Sequence, residues 1–200
     1  MSVRRSPDVV WHSGELDRAT RWRELGVQGT TVWFTGLPAS GKSAIASVVE
    51  RQLVAGGVPA YVIDGDNVRH GLSGDLGFDK DARKENVRRV ADVARMFADA
   101  GVVVLCSLVS PFADDRRYAR TVHSDHELRF LEAYVDTPAE VCAQRDPKGL
   151  YARARAGEIK DFTGVNAPYE APEDPELVLH SGSESLRHSA SRVLEALRAP

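Results

Sequence analysis

Cysteine is scarce in this 200-residue chain, with Cys106 and Cys142 its only two. Their spacing fits neither a metal-ligand pattern nor a dense disulfide framework, so a reducing compartment is expected, with both thiols serving as small core residues. No apolar run approaches the ~18 residues of a membrane span. Residues 1–5 lead into no hydrophobic signal core, and the chain therefore reads as cytoplasmic, without a membrane partner. Positive charge is not in excess either. The formal net charge of -3 removes the electrostatic case for binding nucleic acid or anionic lipid. There is no internal repeat and no low-complexity tract. What is present, 42% hydrophobic and 28% charged residues, is the composition of an ordinary globular protein long enough for one well-buried domain.

Strand and helix patterns alternate along most of that length. Residues 1–28 are polar, with Trp11, Leu16, Trp22 and Leu25 as their bulky apolar positions, and read as an N-terminal arm ahead of a domain over 29–200. Residues 31–34 predict a strand. Ile45, Val48, Val49 and Leu53 then recur at helical spacing up to Gly56-Gly57, predicting a helix over 42–55. A second strand over 58–64 and a long helix over 82–100 follow. The latter has Val87, Val90, Ala91, Ala94, Phe97 and Ala98 on one face. Residues 102–108 are apolar on both faces, as in a central parallel strand. A helix near 112–124, a strand near 129–135, a helix near 138–145, a strand over 177–179 and a closing helix complete the series. The predicted fold is therefore α/β, a three-layer arrangement with a five-stranded parallel sheet and helices on both faces. Residues 146–175 break the pattern and hold four of the ten prolines, which predicts a lid.

The chemistry-bearing segments fall at the ends of these strands. Gly36-Leu37-Pro38-Ala39-Ser40-Gly41-Lys42-Ser43 matches the phosphate-loop template GxxxxGK[ST], and it stands between a predicted strand and a predicted helix. Such a loop turns successive backbone N–H groups toward nucleotide phosphates, with Lys42 on the β/γ oxygens and the Ser43 hydroxyl on Mg²⁺. Asp64-Gly65-Asp66-Asn67-Val68-Arg69 opens at the end of the second strand, where ligands of open α/β sheets gather. Two carboxylates there could hold metal-bound water and orient an attacking hydroxyl; a solvated Asp/Gly turn is the plainer alternative. The third strand ends in Cys106-Ser107 without a carboxylate, which moves the acidic partner of the metal to strand two. Arg83, Asn86 and Arg89 share adjacent turns of the long helix, where they could converge on an anion. Ser110 before Pro111 has two readings, a ligand-facing residue or simply the cap of the next helix. Phe162 also has two, an exposed ring stacking on a purine or a loop anchor in the core. No Asn-Lys-x-Asp motif occurs, which speaks against a GTPase.

Taken together these blocks resemble the adenylylsulfate kinase family of P-loop kinases. The resemblance runs from about residue 10 to 197 and also uses Asp75-Leu76-Gly77-Phe78, Arg145 to Tyr151 and Lys160 to Gly164. It implies transfer of the γ-phosphoryl of ATP to the ribose 3′-hydroxyl of adenylylsulfate with Mg²⁺, in sulfate activation. It further implies a homodimer and an association with an ATP sulfurylase. Carried over by position, it puts ATP on Gly36, Ala39, Ser40, Gly41, Lys42, Ser43 and Ala44. The acceptor would lie against Asp66, Asn67, Arg69, Phe78, Arg83, Asn86, Val109, Ser110, Lys148, Asp161 and Phe162, its adenine between Phe78 and Phe162. Lys42, Asp64, Asp66 and Ser110 form the catalytic group, with Ser43 and Asp64 on the metal. A phosphoserine intermediate is attributed to the serine matching Ser110 in some members, whereas direct transfer needs none and is the expectation here. Pro38 and Ala44 depart from the family's loop. They cost one N–H donor and one hydroxyl, which predicts weaker nucleotide binding without loss of activity.

Overall fold

The computed structural model describes residues 8–10, 12 and 14–199; Trp11 and the first residues of the arm lie outside the described residues. Five parallel strands, β1 (Thr30–Thr35), β2 (Ala60–Asp64), β3 (Val103–Ser107), β4 (Arg129–Val135) and β5 (Leu177–Leu179), form one sheet in the order β2-β3-β1-β4-β5. Among the described residues seven α-helices flank these strands: α1 (Arg18–Leu25), α2 (Lys42–Ala55), α3 (Lys80–Asp99), α4 (Ala113–Ser124), α5 (Ala139–Arg145), α6 (Leu150–Arg155) and α7 (Leu186–Arg198). The α/β expectation holds, strand by strand.

Side chains alternate across β1, and this alternation builds two cores. Val32 and Phe34 face α2 and α7 in a cluster with Ile45, Val49, Leu105, Leu131, Val135 and Val193. Trp33 faces α3 and α4 with Val87, Val90, Ala91, Ala94, Val104 and Phe130. β1 and β3 are buried along their whole length, which is why Val32 to Phe34 and Val103 to Cys106 are apolar on both faces. Cys106 and Cys142 are free and buried, as expected.

Local signals mark the helix starts. Asp17 accepts from Thr20 N at 2.7 Å and Asp79 from Ala82 N at 3.0 Å, so each carboxylate satisfies an orphan donor of its helix. α1, within the polar arm, buries no side chain fully but rests on the end of α3, where Trp22 Nε1 donates to Asp99 O at 3.0 Å. The 146–175 break is not structureless, since it contains α6. No helix among the described residues is long and apolar enough to cross a membrane.

The order of the sheet positions the site. β1 lies between β3 and β4, with β2 beyond β3, so the carboxyl ends of β1, β2 and β3 open side by side. Asp64 at the end of β2 is in register with Ser107 at the end of β3, and Phe34 with Ser107 on the other side.

Candidate active site

The loop between β1 and α2 is shaped by its surroundings. Gly36 has φ 145°, and a Cβ there would stand 2.6 Å from Val135 O, so the position excludes any side chain. Ala39 holds a left-handed φ of 61° and Gly41 one of 110°. Ser40 is fully buried, its carbonyl accepting from Thr137 Oγ1 at 2.9 Å and from Arg145 Nη1 at 3.1 Å. Pro38 O accepts from Tyr151 OH at 3.0 Å. Lys42 Nζ is folded onto the loop, donating to Leu37 O at 2.7 Å, Gly36 O at 3.0 Å and Ser40 Oγ at 3.3 Å. Burial brings its ammonium down to about 8, opposed by Cys142, Asp64 and Asp66. Ala44 is exposed on the first turn of α2.

Donor loop and acid-rich stretch meet at one contact. Ser43 Oγ donates to Asp64 Oδ2 at 2.7 Å and lies 3.0 Å from Ser107 Oγ, while Asp64 Oδ1 accepts from Asp66 N at 2.9 Å. Asp64 is therefore the carboxylate beside the loop hydroxyl, as the lack of an acid at the end of β3 implied. Ser107, at which the third strand ends without a carboxylate, supplies the hydroxyl beside Ser43. Among the described residues no group of three or more His, Cys, Asp or Glu gathers, so a metal here would rely on few protein oxygens.

Arg69, Phe78, Arg83 and Asp161 come together around the start of α3. Asn67 and Arg69 lie on a 3-10 turn, Asn67–His70. The Arg69 guanidinium sits 4.2 Å from the centre of the Phe78 ring and donates to Leu76 O at 3.1 Å and Gly77 O at 2.8 Å. Arg83 reaches across to the 146–175 segment: Nε donates to Phe78 O at 2.6 Å, Nη1 to Thr163 Oγ1 at 3.1 Å and Nη2 to Asp161 O at 2.6 Å. Partial burial lowers the proton affinity of both guanidiniums. Asn86 is buried, and its Oδ1 has no hydrogen-bond partner. Lys148, from the 146–175 segment, forms an ion pair with Asp66, which raises its proton affinity.

Three expectations need correction. Phe162 is not exposed; it is 8% accessible and meets Tyr151 edge-on at 5.0 Å in a small core with Cys142 and Ala154. The loop-anchor reading is the right one, because a Phe beside Tyr151 buries more apolar area than it would over solvent. Of the two rings, only Phe78, 58% accessible, is free to stack on a base. Arg89 does not converge with Arg83, since Asp75 at 2.6 Å and Glu85 at 2.9 Å hold it. Ser110 does not cap α4. Its Oγ is buried and accepts from Trp33 Nε1 at 3.1 Å, while Glu170 receives the first helical N–H, that of Ala113, at 2.7 Å. Val109 O accepts from Thr35 Oγ1 at 2.8 Å.

A phosphate loop facing a second, basic and aromatic half-site has its match among known proteins. The profile of the adenylylsulphate kinase family covers residues 28–180. The chain belongs to this family. Bifunctional enzyme NodQ of Rhizobium sp. (strain N33) is 52% identical over 98% of the chain, which spans only 29% of NodQ. The adenylyl-sulfate kinase of Aeromonas hydrophila subsp. hydrophila is 47% identical over 96% of both proteins. Among solved structures, the Mycobacterium tuberculosis APS kinase CysC in complex with AMPPNP and APS superposes with a TM-score of 0.84 at 50% identity, over 86% of this chain and 99% of that one. As an adenylylsulphate kinase family member, the chain adds buttresses that its motifs did not reveal. Arg145 and Tyr151 brace the loop from behind.

Proposed function

We infer that the chain is an ATP-dependent adenylylsulfate kinase that transfers the γ-phosphoryl directly to the ribose 3′-hydroxyl, releasing ADP and 3′-phosphoadenylylsulfate. The observation that carries this reading is the Ser43–Asp64 contact at 2.7 Å, which joins the phosphate loop to the acid-rich stretch and leaves Asp66 at the junction. Lys42 leaves the loop carbonyls for the β/γ oxygens as nucleotide enters, and the loop N–H groups hold the phosphates. Asp66 orients the acceptor hydroxyl and takes up its proton. Asn67, Arg69, Arg83, Asn86, Lys148 and the backbone at Val109 and Asp161 grip the acceptor, with Phe78 against its adenine. Phe162 serves from beneath, keeping the lid in place. Catalysis of this kind is positioning plus charge neutralisation.

The oxygen donors at Ser43 and Asp64 fit Mg²⁺, a hard cation that keeps several waters and needs only one or two protein ligands. Bound there, it would neutralise charge on the phosphates. Ser110 lies beside the site without carrying phosphate: the residue is 3% accessible and its hydroxyl is already engaged by Trp33. The unit 29–200 is the catalytic domain and 1–28 its arm. A homodimer, association with an ATP sulfurylase that supplies the acceptor, and a cytoplasmic setting complete the proposal.

The test is ADP release from ATP with and without adenylylsulfate, combined with mass measurement of the product. Acceptor-dependent ADP release with one added phosphoryl is expected. The Ser110→Ala variant is expected to keep activity within about tenfold, because it loses one hydrogen bond and no covalent step. An inactive variant with normal ligand binding would reinstate the phosphoserine route.

A further inference from the structure

The segment after β3 holds Val109 and Ser110, which the kinase reading sets beside the acceptor, yet it belongs to no helix or strand. One buried guanidinium holds it. Arg116, 3% accessible on the first turn of α4, donates from Nε to Glu132 Oε1 at 2.7 Å, from Nη1 to Ser110 O at 2.8 Å and from Nη2 to Glu170 O at 2.7 Å. It thereby ties together β4, the 109–111 loop and the strap that ends the lid segment.

Two further clasps reinforce the junction. Glu170 N donates to Pro111 O at 2.8 Å, and the Glu170 carboxylate accepts from Ala113 N at 2.7 Å. Tyr169 OH lies 3.0 Å from Thr35 Oγ1, the same hydroxyl that donates to Val109 O, and the Tyr169 ring stacks on Tyr134 with centroids 6.0 Å apart. Ser110 itself has φ 38°. A non-glycine residue keeps such a backbone only where its surroundings over-determine it, and Arg116 on its carbonyl and Trp33 on its hydroxyl do so here.

We propose that Arg116, covered by Tyr169, is the positioning residue for the acceptor: it locks the 109–111 loop in its left-handed turn and pins the lid's downstream end to that loop. Adenylylsulfate then meets a preformed wall, and lid movement is confined to residues upstream of 169. Only arginine suits the position. Its planar fork serves three acceptors in different directions, whereas a lysine ammonium is a point charge on a flexible stem. The proposal deepens the kinase reading and rests on it.

Three variants test it. Arg116→Lys keeps a cation beside Glu132 without spanning the junction, Tyr169→Phe removes only the hydroxyl on Thr35, and Glu170→Ala removes only the exposed clasp on Ala113. Kinetics with each substrate varied separately should show the adenylylsulfate KM rising about tenfold for Arg116→Lys and about threefold for the other two, with the ATP KM unchanged. A variant that merely folds poorly loses active enzyme, lowering kcat while leaving both KM values in place. That pattern, or equal rises in both KM values, overturns the proposal. If Arg116→Lys does not fold, Tyr169→Phe and Glu170→Ala decide. Trp33 emission, isolated by difference from a Trp33→Phe background, gives a second readout and should shift in all three variants. Should the wild type release no acceptor-dependent ADP, the kinase reading falls on its own, and unchanged Trp33 emission would then overturn the positioning role separately.

Discussion

The two sides of the cleft are held by different means. On the donor side, Ser40 is fully buried and Lys42 7% accessible, and the loop is braced through its backbone by Thr137, Arg145 and Tyr151. On the acceptor side, the closing ion pair joins Lys148 and Asp66 side chains that are 58% and 64% accessible, and Phe78 stands in solvent. Exposed pairs of this kind contribute at most about 1 kcal/mol and are easily exchanged for a ligand. The donor loop and the 109–111 wall are thus prebuilt, whereas the Lys148–Asp66 and Phe78 part of the acceptor half stays exposed and adaptable.

Breaking the donor half should cost most. Lys42→Ala removes the buried cation and is expected to lower kcat/KM by about 10³-fold or more, with adenylylsulfate binding by calorimetry retained. If acceptor binding falls equally, the two halves are not independent. Next comes the contrast between the two phenylalanines. Phe162→Ala should destabilise the protein by about 3 kcal/mol in denaturant titration, since a ring in the Tyr151–Cys142 core is lost. Phe78→Ala should leave stability within about 0.5 kcal/mol and instead raise the adenylylsulfate KM. A reversed pattern would return Phe162 to the sandwich.

The pH dependence of ATP binding is a smaller effect. Free Lys42 titrates at about 8 because burial penalises its charge. Triphosphate favours the charged form and raises that value, so binding takes up a proton once the pH exceeds 8. ATP affinity should be flat below pH 7 and about tenfold weaker at pH 9, measured by calorimetry in buffers of different ionisation enthalpy. Flat affinity up to pH 9 would mean that the lysine is already as charged in the free loop. Smallest is the loop composition. A Pro38→Ser, Ala44→Thr double variant should bind ATP about threefold more tightly, through one regained N–H and one hydroxyl. Unchanged affinity would show that the Tyr151 bond to Pro38 O already sets the loop.

Much of this was legible before any coordinates. Every strand of the sheet was anticipated within two residues or so, because buried parallel strands are apolar on both faces and their helices carry periodic apolar positions. The phosphate loop, Asp64 and Asp66 were readable because their spacing is local. Arg116, Glu132 and the bracing role of Tyr151 were not, since each acts through a partner elsewhere in the chain. Phe162 was misjudged for the same reason: a loop phenylalanine looks free until its core neighbours are known. Ser110 looked like a cap because Ser-Pro is a frequent helix start, yet the first helical N–H is met by Glu170 from a remote strap.

The chain by itself determined the α/β class, the donor loop and the family, since periodicity and contiguous motifs are properties of neighbouring residues. Only the tertiary structure decided which side chains are free to meet ligand and which are already engaged. Burial and long-range hydrogen bonds depend on what the fold brings alongside, and no spacing along the chain encodes that.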